Sequence, residues 1–215
     1  ELRPKGVPLI GFAGAPFTVA SYMIEGGSSK DLARSKGLIK ESPEVMDALL
    51  DKLVAVTIDY LNAQIEAGVD ALQLFDTWTN HLDLESFKRY SLDPIKRIIA
   101  GLNRPANVPI TVFCKNMGVF APLLVDCGAN ALSVDWGVSL RGVRDQIGSS
   151  IALQGNLDPQ MLYTEDKVLE KAVISLLDSM KDQPGYIFNL GHGMSPDMEP
   201  EKLKLVVDLV HGYKR

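Results

Sequence analysis

Residues 42–77 read SPEVMDALLDKLVAVTIDYLNAQIEAGVDALQLFDT, and this stretch carries the pattern that decides the fold. Ser42 is a candidate helix cap, Pro43 suits the first helical position, and apolar residues recur at helical spacing as far as Gly68. The run Ala71–Asp76 that follows is short and mostly apolar, which predicts a strand covered on both faces. The stretch therefore predicts a long helix followed by a buried strand with polar residues at its end.

The same alternation of a short apolar run with a longer amphipathic stretch recurs along the chain, and it is typical of α/β proteins with a parallel sheet. We predict no helix in the segment after the first strand. Its Gly-Gly-Ser-Ser-Lys sequence at residues 26–30 predicts a mobile loop. The other predicted strands are Pro8–Ala13, Pro109–Cys114, Ala131–Trp136, Ile151–Asn156 and Tyr186–Gly191. The other predicted helices are Leu84–Leu102, Val119–Cys127, Leu140–Ile147, Thr164–Met180 with Thr164 as its cap, and Glu199–Tyr213.

Two arrangements compete for these elements, a doubly wound open sheet and a (β/α)₈ barrel. A doubly wound dinucleotide-binding sheet carries a G-x-G-x-x-G fingerprint after its first strand, whereas here Gly11 and Gly14 are followed by Ala15 and Pro16. Polar residues instead follow strand after strand, as in barrel enzymes, which build their sites from the C-terminal ends of many strands. We therefore predict an α/β protein of the (β/α)₈ TIM-barrel class, with about six of the eight β/α units of such a barrel visible.

The composition is that of an ordinary globular protein, with 215 residues, 46% of them hydrophobic and 23% charged. A net charge of −5 argues against a nucleic-acid surface, and no apolar run approaches the roughly 18 to 20 residues of a membrane helix. We therefore expect neither nucleic acid nor a membrane as a partner. The first six residues contain no apolar core of a signal peptide, and no linker interrupts the chain, which predicts a single domain over residues 1–215.

Nothing local in the sequence predicts a metal site or a nucleophile. His81, His192 and His211 lie far apart, and none pairs with a cysteine at ligand spacing, so we predict no metal. Cys114 ends a strand without a neighbouring histidine, and it is better explained as a small buried hydrophobe, as is Cys127. Two cysteines form no disulfide framework and suit a reducing cytosol, which predicts a cytoplasmic location.

Four polar residues near strand ends are the candidates for chemistry. His192 lies between glycines in NLGHG (residues 189–193), where an imidazole can bind an anion or move a proton near neutral pH; a solvated turn histidine is the alternative. Asp76 and Asp135 are either acid–base groups or caps of the loops that follow them. Tyr22 either donates a hydrogen bond to a carboxylate or packs with its hydroxyl in water.

Four blocks of the sequence resemble the uroporphyrinogen decarboxylase family. The segment GFAGAPFTVASYMIEG (residues 11–26) looks like the signature of that family over sixteen residues, which makes the match highly specific. Three further blocks agree in order and spacing: LQLF (72–75), LQGNLDP (153–159), and NLGHG (189–193) followed by PDM (196–198). The resemblance covers the chain from about Pro8 to its C-terminus.

The resemblance implies a (β/α)₈ barrel lyase of haem and tetrapyrrole biosynthesis, which removes carbon dioxide from the four acetate side chains of uroporphyrinogen III to give coproporphyrinogen III. It also implies that the enzyme uses no metal or organic cofactor and forms a homodimer. Tyr22 and His192 fall on the family's active-site tyrosine and histidine, and Thr77 falls where many members carry serine. The resemblance therefore makes Tyr22, Thr77 and His192 the expected substrate-binding or catalytic residues, with uroporphyrinogen as the small-molecule partner.

Two features of the family are missing from this sequence. One is a Met-Arg-Gln-Ala-Gly-Arg-Tyr stretch whose arginines bind substrate carboxylates, and the other is an aspartate that accepts hydrogen bonds from the pyrrole N–H groups. A substrate with eight carboxylates needs cationic partners, yet the predicted strand ends offer only Lys115 and His192. We therefore expect two further β/α units upstream of Glu1, and we expect the 215 residues alone to be inactive.

Two other functions stay open. Cobamide-dependent methyltransferases share this fold and hold zinc with a His-x-Cys pair and a later cysteine, whereas here Val112 lies two residues before Cys114 and His192 occupies the late position. The other is a non-catalytic relative that binds and sequesters a tetrapyrrole.

Overall fold

A computed structural model describes residues 6–116, 118 and 120–214 of the chain. The strands in this part of the chain form one sheet in chain order, β1 to β6, and the paired strands are parallel. Helices lie between consecutive strands. Parallel strands that follow one another in chain order, with helical connections, are the arrangement of a (β/α) barrel, and six such units fit part of one. The predicted fold class is confirmed.

The bounds of the regular elements are as follows. The strands are β1 (Ile10–Gly14), β2 (Ala71–Asp76), β3 (Ile110–Cys114), β4 (Ala131–Ser133), β5 (Ala152–Leu157) and β6 (Tyr186–Leu190). The α-helices are α1 (Pro16–Glu25), α2 (Ala33–Glu41), α3 (Pro43–Glu66), α4 (Leu84–Phe87), α5 (Asp93–Gly101), α6 (Ala121–Leu124), α7 (Leu140–Ile147), α8 (Asp166–Met180) and α9 (Pro200–Gly212). Shorter turns of 3₁₀ or π type cover Thr79–His81, Lys88–Leu92 and Pro159–Tyr163.

The segment after β1 differs most from the prediction, because it forms two helices where none was predicted, while the predicted loop over residues 26–30 lies between them. α1 begins with Pro16 in its first turn and ends at Gly26, whose φ of 80° allows the left-handed cap that stops the helix. α2 follows after a short connection. Tyr22 therefore lies on a helix that the sequence analysis did not predict.

The predicted helix over residues 84–102 is interrupted by a π-helical turn at Lys88–Leu92. The backbone N–H of Asp93 donates to the carbonyl of Lys88, five residues earlier, and Pro94 follows with no N–H to continue the α-helical pattern. The predicted cap of α8 is also wrong. That helix begins at Asp166 after Glu165, and the Thr164 hydroxyl donates to the Met161 carbonyl instead. The predicted start of the short helix near Cys127, Val119, lies outside the described residues.

The chain forms two compact units, Glu1–Lys115 with Leu123–Ala131, and Asn116–Pro122 with Leu132–Arg215. The first unit contains β1 to β3 and the helices α1 to α5. In β2 the side chains alternate between half-buried and buried, so that Asp76 points to the same buried face as Leu72 and Leu74. The alternation of side chains along β2 therefore places the Asp76 carboxylate in the core of this unit.

The second unit contains β5 and β6, which pair in parallel from Leu153 opposite Tyr186 to Leu157 opposite Leu190. Its apolar cluster packs α8 and α9 against this pair and consists of Leu157, Leu162, Leu169, Val173, Leu177, Met198 and Val206, with half-buried apolar neighbours. In the described part of the chain, no helix has the length and apolar character needed to cross a membrane.

Candidate functional site

Tyr22 and Thr77 lie in the first unit, close to the C-terminal ends of β1 and β2. Tyr22 is on α1 with 42% of its surface exposed, and its ring meets the Trp78 ring edge-on with a centroid distance of 5.8 Å. Thr77 follows β2 directly and is half-buried. Because Trp78 is the next residue after Thr77, the aromatic contact holds the tyrosine beside the segment that carries the threonine. Sequence reasoning assigned Trp78 no role.

Asp76 ends β2 with its carboxylate fully buried. The Thr18 hydroxyl of α1 donates to Oδ1 at 2.6 Å, and the Ser91 hydroxyl of the π-helical turn donates to Oδ2 at 2.6 Å. Burial raises the pKa of Asp76 to about 6, although the hydroxyls of Ser91 and Thr18 lower it in part. The carboxylate contacts α1 and the π-helical turn rather than the loop that follows β2, so it is not the loop cap that the sequence suggested, and its role as an acid–base group stays a prediction.

A second set of contacts joins the ends of β2 and β3 in the same unit. The Thr79 hydroxyl lies 2.6 Å from the Lys115 carbonyl and 3.2 Å from the Asp76 carbonyl, and the Lys115 N–H donates to the Asp76 carbonyl at 3.1 Å. Cys114, paired with Asp76 across the strands, is buried. The strand ends are therefore held by backbone carbonyls, which leaves the side chains that follow them in fixed positions.

A lysine and a histidine that the sequence did not place at the site meet near Trp78. The Lys36 ammonium of α2 lies 3.3 Å from Nδ1 of His81, and the His81 ring is 5.9 Å from the Trp78 ring. Burial lowers the pKa of His81, and the positive charges of Lys36 and Lys115 lower it further. Lys36 was missed because α2 was not predicted, so nothing in the sequence brought it near the strand ends.

His192 lies in the second unit, directly after β6. It is half-buried, and its ring meets the Trp136 ring edge-on at 5.9 Å. A Cβ atom on Gly191 would lie 2.6 Å from the Trp136 backbone nitrogen, which is why only glycine fits before the histidine. The glycine thus permits a close backbone approach that sets the position of His192.

Asp135 is buried in the second unit after β4, and its two carboxylate oxygens differ. Oδ2 accepts the N–H of Asn116 at 2.9 Å, whereas Oδ1 has no hydrogen-bond partner among the described residues. The Asn156 amide donates to the carbonyls of Asp135 and Val138, at 2.8 Å each. Asp135 therefore fixes the turn that begins at Asn116, after β3, rather than the loop that follows Asp135 itself.

The chain also resembles known proteins, and one comparison decides its family. A family model described as uroporphyrinogen decarboxylase (URO-D) matches residues 1–213. The chain belongs to the uroporphyrinogen decarboxylase family.

Curated relatives agree with this assignment. A uroporphyrinogen decarboxylase of Ruthia magnifica subsp. Calyptogena magnifica is 43% identical over 212 residues, which are 97% of this chain and 61% of the relative. A uroporphyrinogen decarboxylase of Citrifermentans bemidjiense is 45% identical over 215 residues, which are 100% of this chain and 62% of the relative. The chain therefore spans about three-fifths of the length of these family members.

Solved structures show a shared fold at low identity. A methyltransferase from Methanosarcina mazei has a TM-score of 0.77 at 22% identity, covering 97% of this chain and 59% of its own. A putative vitamin-B12-independent methionine synthase from Listeria monocytogenes has a TM-score of 0.64 at 14% identity, covering 99% of this chain and 66% of its own. These likenesses concern the fold alone, and the family assignment does not favour the methyltransferase interpretation.

In this uroporphyrinogen decarboxylase family member both cysteines are free and buried, as predicted. Burial raises the pKa of the Cys114 thiol well above its usual range, and the charge of Asp76 raises it further, so the thiolate needed for nucleophilic attack is disfavoured. Among the described residues, no group of three or more His, Cys, Asp and Glu side chains could hold a metal ion.

Proposed function

We propose that this chain forms the larger part of a uroporphyrinogen decarboxylase, a carboxy-lyase that converts uroporphyrinogen III to coproporphyrinogen III without a cofactor. The observation that carries the proposal is the match to the family over residues 1–213. A single domain, a cytoplasmic location and a homodimer are parts of the same proposal. The substrate residues proposed are Tyr22, Thr77 and His192.

Each acetate loses carbon dioxide by the same balanced sequence. A proton adds to the pyrrole carbon next to the one that bears the acetate, so that the resulting cationic ring can accept electrons. The bond between the methylene and the carboxylate then breaks, carbon dioxide leaves, and its electron pair enters the ring. A proton adds to the methylene carbon to give a methyl group, and the ring proton is lost. One proton is consumed for each carboxylate removed, and the site must supply it while stabilising the cationic ring.

The described residues offer groups for these tasks within each unit. In the first unit the exposed Tyr22 hydroxyl can donate to a substrate carboxylate, and the Thr77 hydroxyl follows the strand end beside it. The Lys36 ammonium, held 3.3 Å from Nδ1 of His81, supplies positive charge near Trp78, which suits carboxylates. In the second unit His192 can donate to a carboxylate or transfer a proton, because an imidazole changes charge near neutral pH.

We also propose that activity needs the arginines found in the part of the family outside this chain. The test compares the 215-residue chain alone with the same chain fused to the residues of the Citrifermentans bemidjiense relative that lie outside the matched 62% of that relative. Coproporphyrinogen formation is measured anaerobically, after oxidation to the fluorescent porphyrin. We expect turnover from the fusion and none above the uncatalysed rate from the chain alone.

Each contrary result of that test has a defined meaning. A normal rate from the chain alone would refute the argument from the missing arginines. A folded fusion, judged by circular dichroism, that binds uroporphyrin and does not turn over would favour the non-catalytic tetrapyrrole binder. Stoichiometric zinc in the pure protein would favour the methyltransferase.

In the active fusion, replacing Tyr22 with phenylalanine or His192 with alanine is expected to lower kcat by about tenfold each, since a single positioned hydrogen bond or proton donor is lost. The melting temperature should not change. Tyr60→Phe and His211→Ala, at exposed helix positions, are the matched controls and should keep full activity. Unchanged kinetics in both site variants would remove these residues from the proposed site.

A further inference from the structure

The carboxylate of Asp76 joins three elements of the first unit through hydroxyl groups. Thr18 belongs to α1 and Ser91 to the π-helical turn Lys88–Leu92, while Asp76 itself ends β2. Both donor distances are 2.6 Å, and the Asp76 and Ser91 side chains are at most 1% exposed. A π-helical turn inserted at this point is what places Ser91 beside the strand end, and such turns occur often at functional sites.

The Thr18 hydroxyl makes a second contact that leads to the proposed substrate residues. It accepts the backbone N–H of Trp78 at 3.3 Å while it donates to Asp76. Thr18 lies one helical turn before Tyr22 on α1, and the Tyr22 ring packs edge-on against Trp78. One chain of hydrogen bonds therefore connects Asp76, Thr18 and Trp78, and it fixes α1 against the segment that carries Thr77.

The direction of these hydrogen bonds depends on the Asp76 carboxylate, which when ionised only accepts hydrogen bonds. An ionised carboxylate has no proton to give, so the Thr18 hydroxyl must point toward it, which leaves a lone pair of the hydroxyl oxygen for the Trp78 N–H. A protonated carboxyl or an amide can donate to a hydroxyl instead, and the Thr18 proton is then free to turn. Burial disfavours the charged form of Asp76. Packing alone therefore does not explain why a carboxylate occupies this position.

Resting on the proposed function, we propose that Asp76 is a positioning residue: its ionised carboxylate orients the Thr18 hydroxyl and thereby holds Tyr22 and Thr77 in their relative positions. Protonation of Asp76 loosens the link between α1 and the segment after β2. The titratable group opposite Asp76 on β3 is the buried Cys114 thiol. Because its pKa is raised, this thiol stays neutral over the pH range in which Asp76 titrates. The contacts from α1 and from the π-helical turn are the neutral hydroxyls of Thr18 and Ser91 and the backbone N–H of Thr18.

The test follows the fluorescence of Trp78 against pH in the 215-residue chain, without substrate. The sequence has two tryptophans, so Trp136→Phe leaves Trp78 as the reporter. His81→Gln removes the imidazole whose ring lies 5.9 Å from the Trp78 ring. In this double-variant parent we expect the emission to titrate with a midpoint at about pH 6, the pKa of Asp76.

Four further substitutions separate positioning from packing. Asp76→Asn should abolish the titration. Thr18→Val should abolish it as well, because it removes the link and keeps the shape, and Thr18→Ser should restore it. Ser91→Ala should raise the midpoint by about one pH unit, because a hydrogen bond to the charged form is lost. No titration in the parent, a titration that survives Asp76→Asn, or full amplitude in Thr18→Val would overturn the proposal.

A second readout uses the fusion that tests the proposed function. Thr18→Val should lower its kcat by about tenfold with KM changed by less than about twofold, and Thr18→Ser should restore kcat. A fusion that never decarboxylates contradicts the proposed function, while the fluorescence titration still decides whether Asp76 controls the position of Trp78. Unchanged kcat in an active Thr18→Val fusion would overturn the positioning role.

Discussion

Replacing Gly155 with alanine is expected to lower the free energy of unfolding by about 4 kcal/mol. Gly155 lies in β5 with a φ of +135°, a region that side chains rarely adopt, and its Cβ atom would lie 2.6 Å from the Val134 carbonyl oxygen. Strained backbone contributes about 1 to 3 kcal/mol and the forced backbone shift a similar amount. Because the obstacle is backbone, no side-chain rotation relieves it.

The loss is measured by urea unfolding, and by a decrease in melting temperature of about 10 °C for a chain of this size. Gly148→Ala is the matched control. It also has a positive φ, of 70°, with no atom within 4 Å of the added Cβ, so it isolates the conformational penalty and should cost about 1 kcal/mol. Equal losses in the two variants would contradict the close approach of Gly155 to Val134.

Asp76→Asn is expected to gain stability relative to the wild-type chain as the pH rises from about 4 to 7, by about 3 kcal/mol in total. Burial raises the pKa of Asp76 from 3.8 to about 6, and this difference corresponds to about 3 kcal/mol for one proton. Below about pH 3 the carboxyl is protonated in both states. Between these pKa values the folded protein holds more protons than the unfolded chain, so wild-type stability falls with rising pH. Asparagine has no such dependence.

The measured quantity is the difference in unfolding free energy between variant and wild type at several pH values. Contributions from the other titrating groups largely cancel in this difference. Asp182→Asn, at an exposed position, makes the same chemical change and should show a flat difference. A flat difference for Asp76→Asn would mean that the buried carboxylate titrates as it does in the unfolded chain. If Asp76→Asn is more stable than wild type near pH 7 and is also less active, Asp76 is a residue that serves function at the expense of stability.

Much of the site could be placed from the sequence because parallel strands end at one edge of their sheet. The polar residues after β2 and β6 include Thr77 and His192, which stay predicted site residues, whereas the structure shows that Asp76 lies on the same face of β2 as Leu72 and Leu74. Tyr22 was assigned from family resemblance, although Pro16 and Gly26 were local signals for the helix that carries it.

Other parts of the site depend on contacts between residues that lie far apart in sequence. Thr18 is 58 residues from Asp76 and Ser91 is 15 residues away, and no local spacing relates these positions. Lys36 reaches His81 across 45 residues from a helix that periodicity did not reveal. Pro94 is a local sign of an interrupted helix, yet the position it gives to Ser91 depends on how that turn packs against β2.

The sequence by itself determined the α/β class, the order of the strands, the strand ends that carry polar groups, and the family, because hydrophobic periodicity and contiguous motifs are local properties. Only the tertiary structure decided the burial of Asp76, which raises its pKa, and the hydroxyls that contact it, and it alone brought Tyr22 against Trp78. The reason is physical. The pKa of a carboxylate depends on the water that surrounding elements exclude and on the donors that they supply, and both are fixed only when α1, β2 and the π-helical turn pack together.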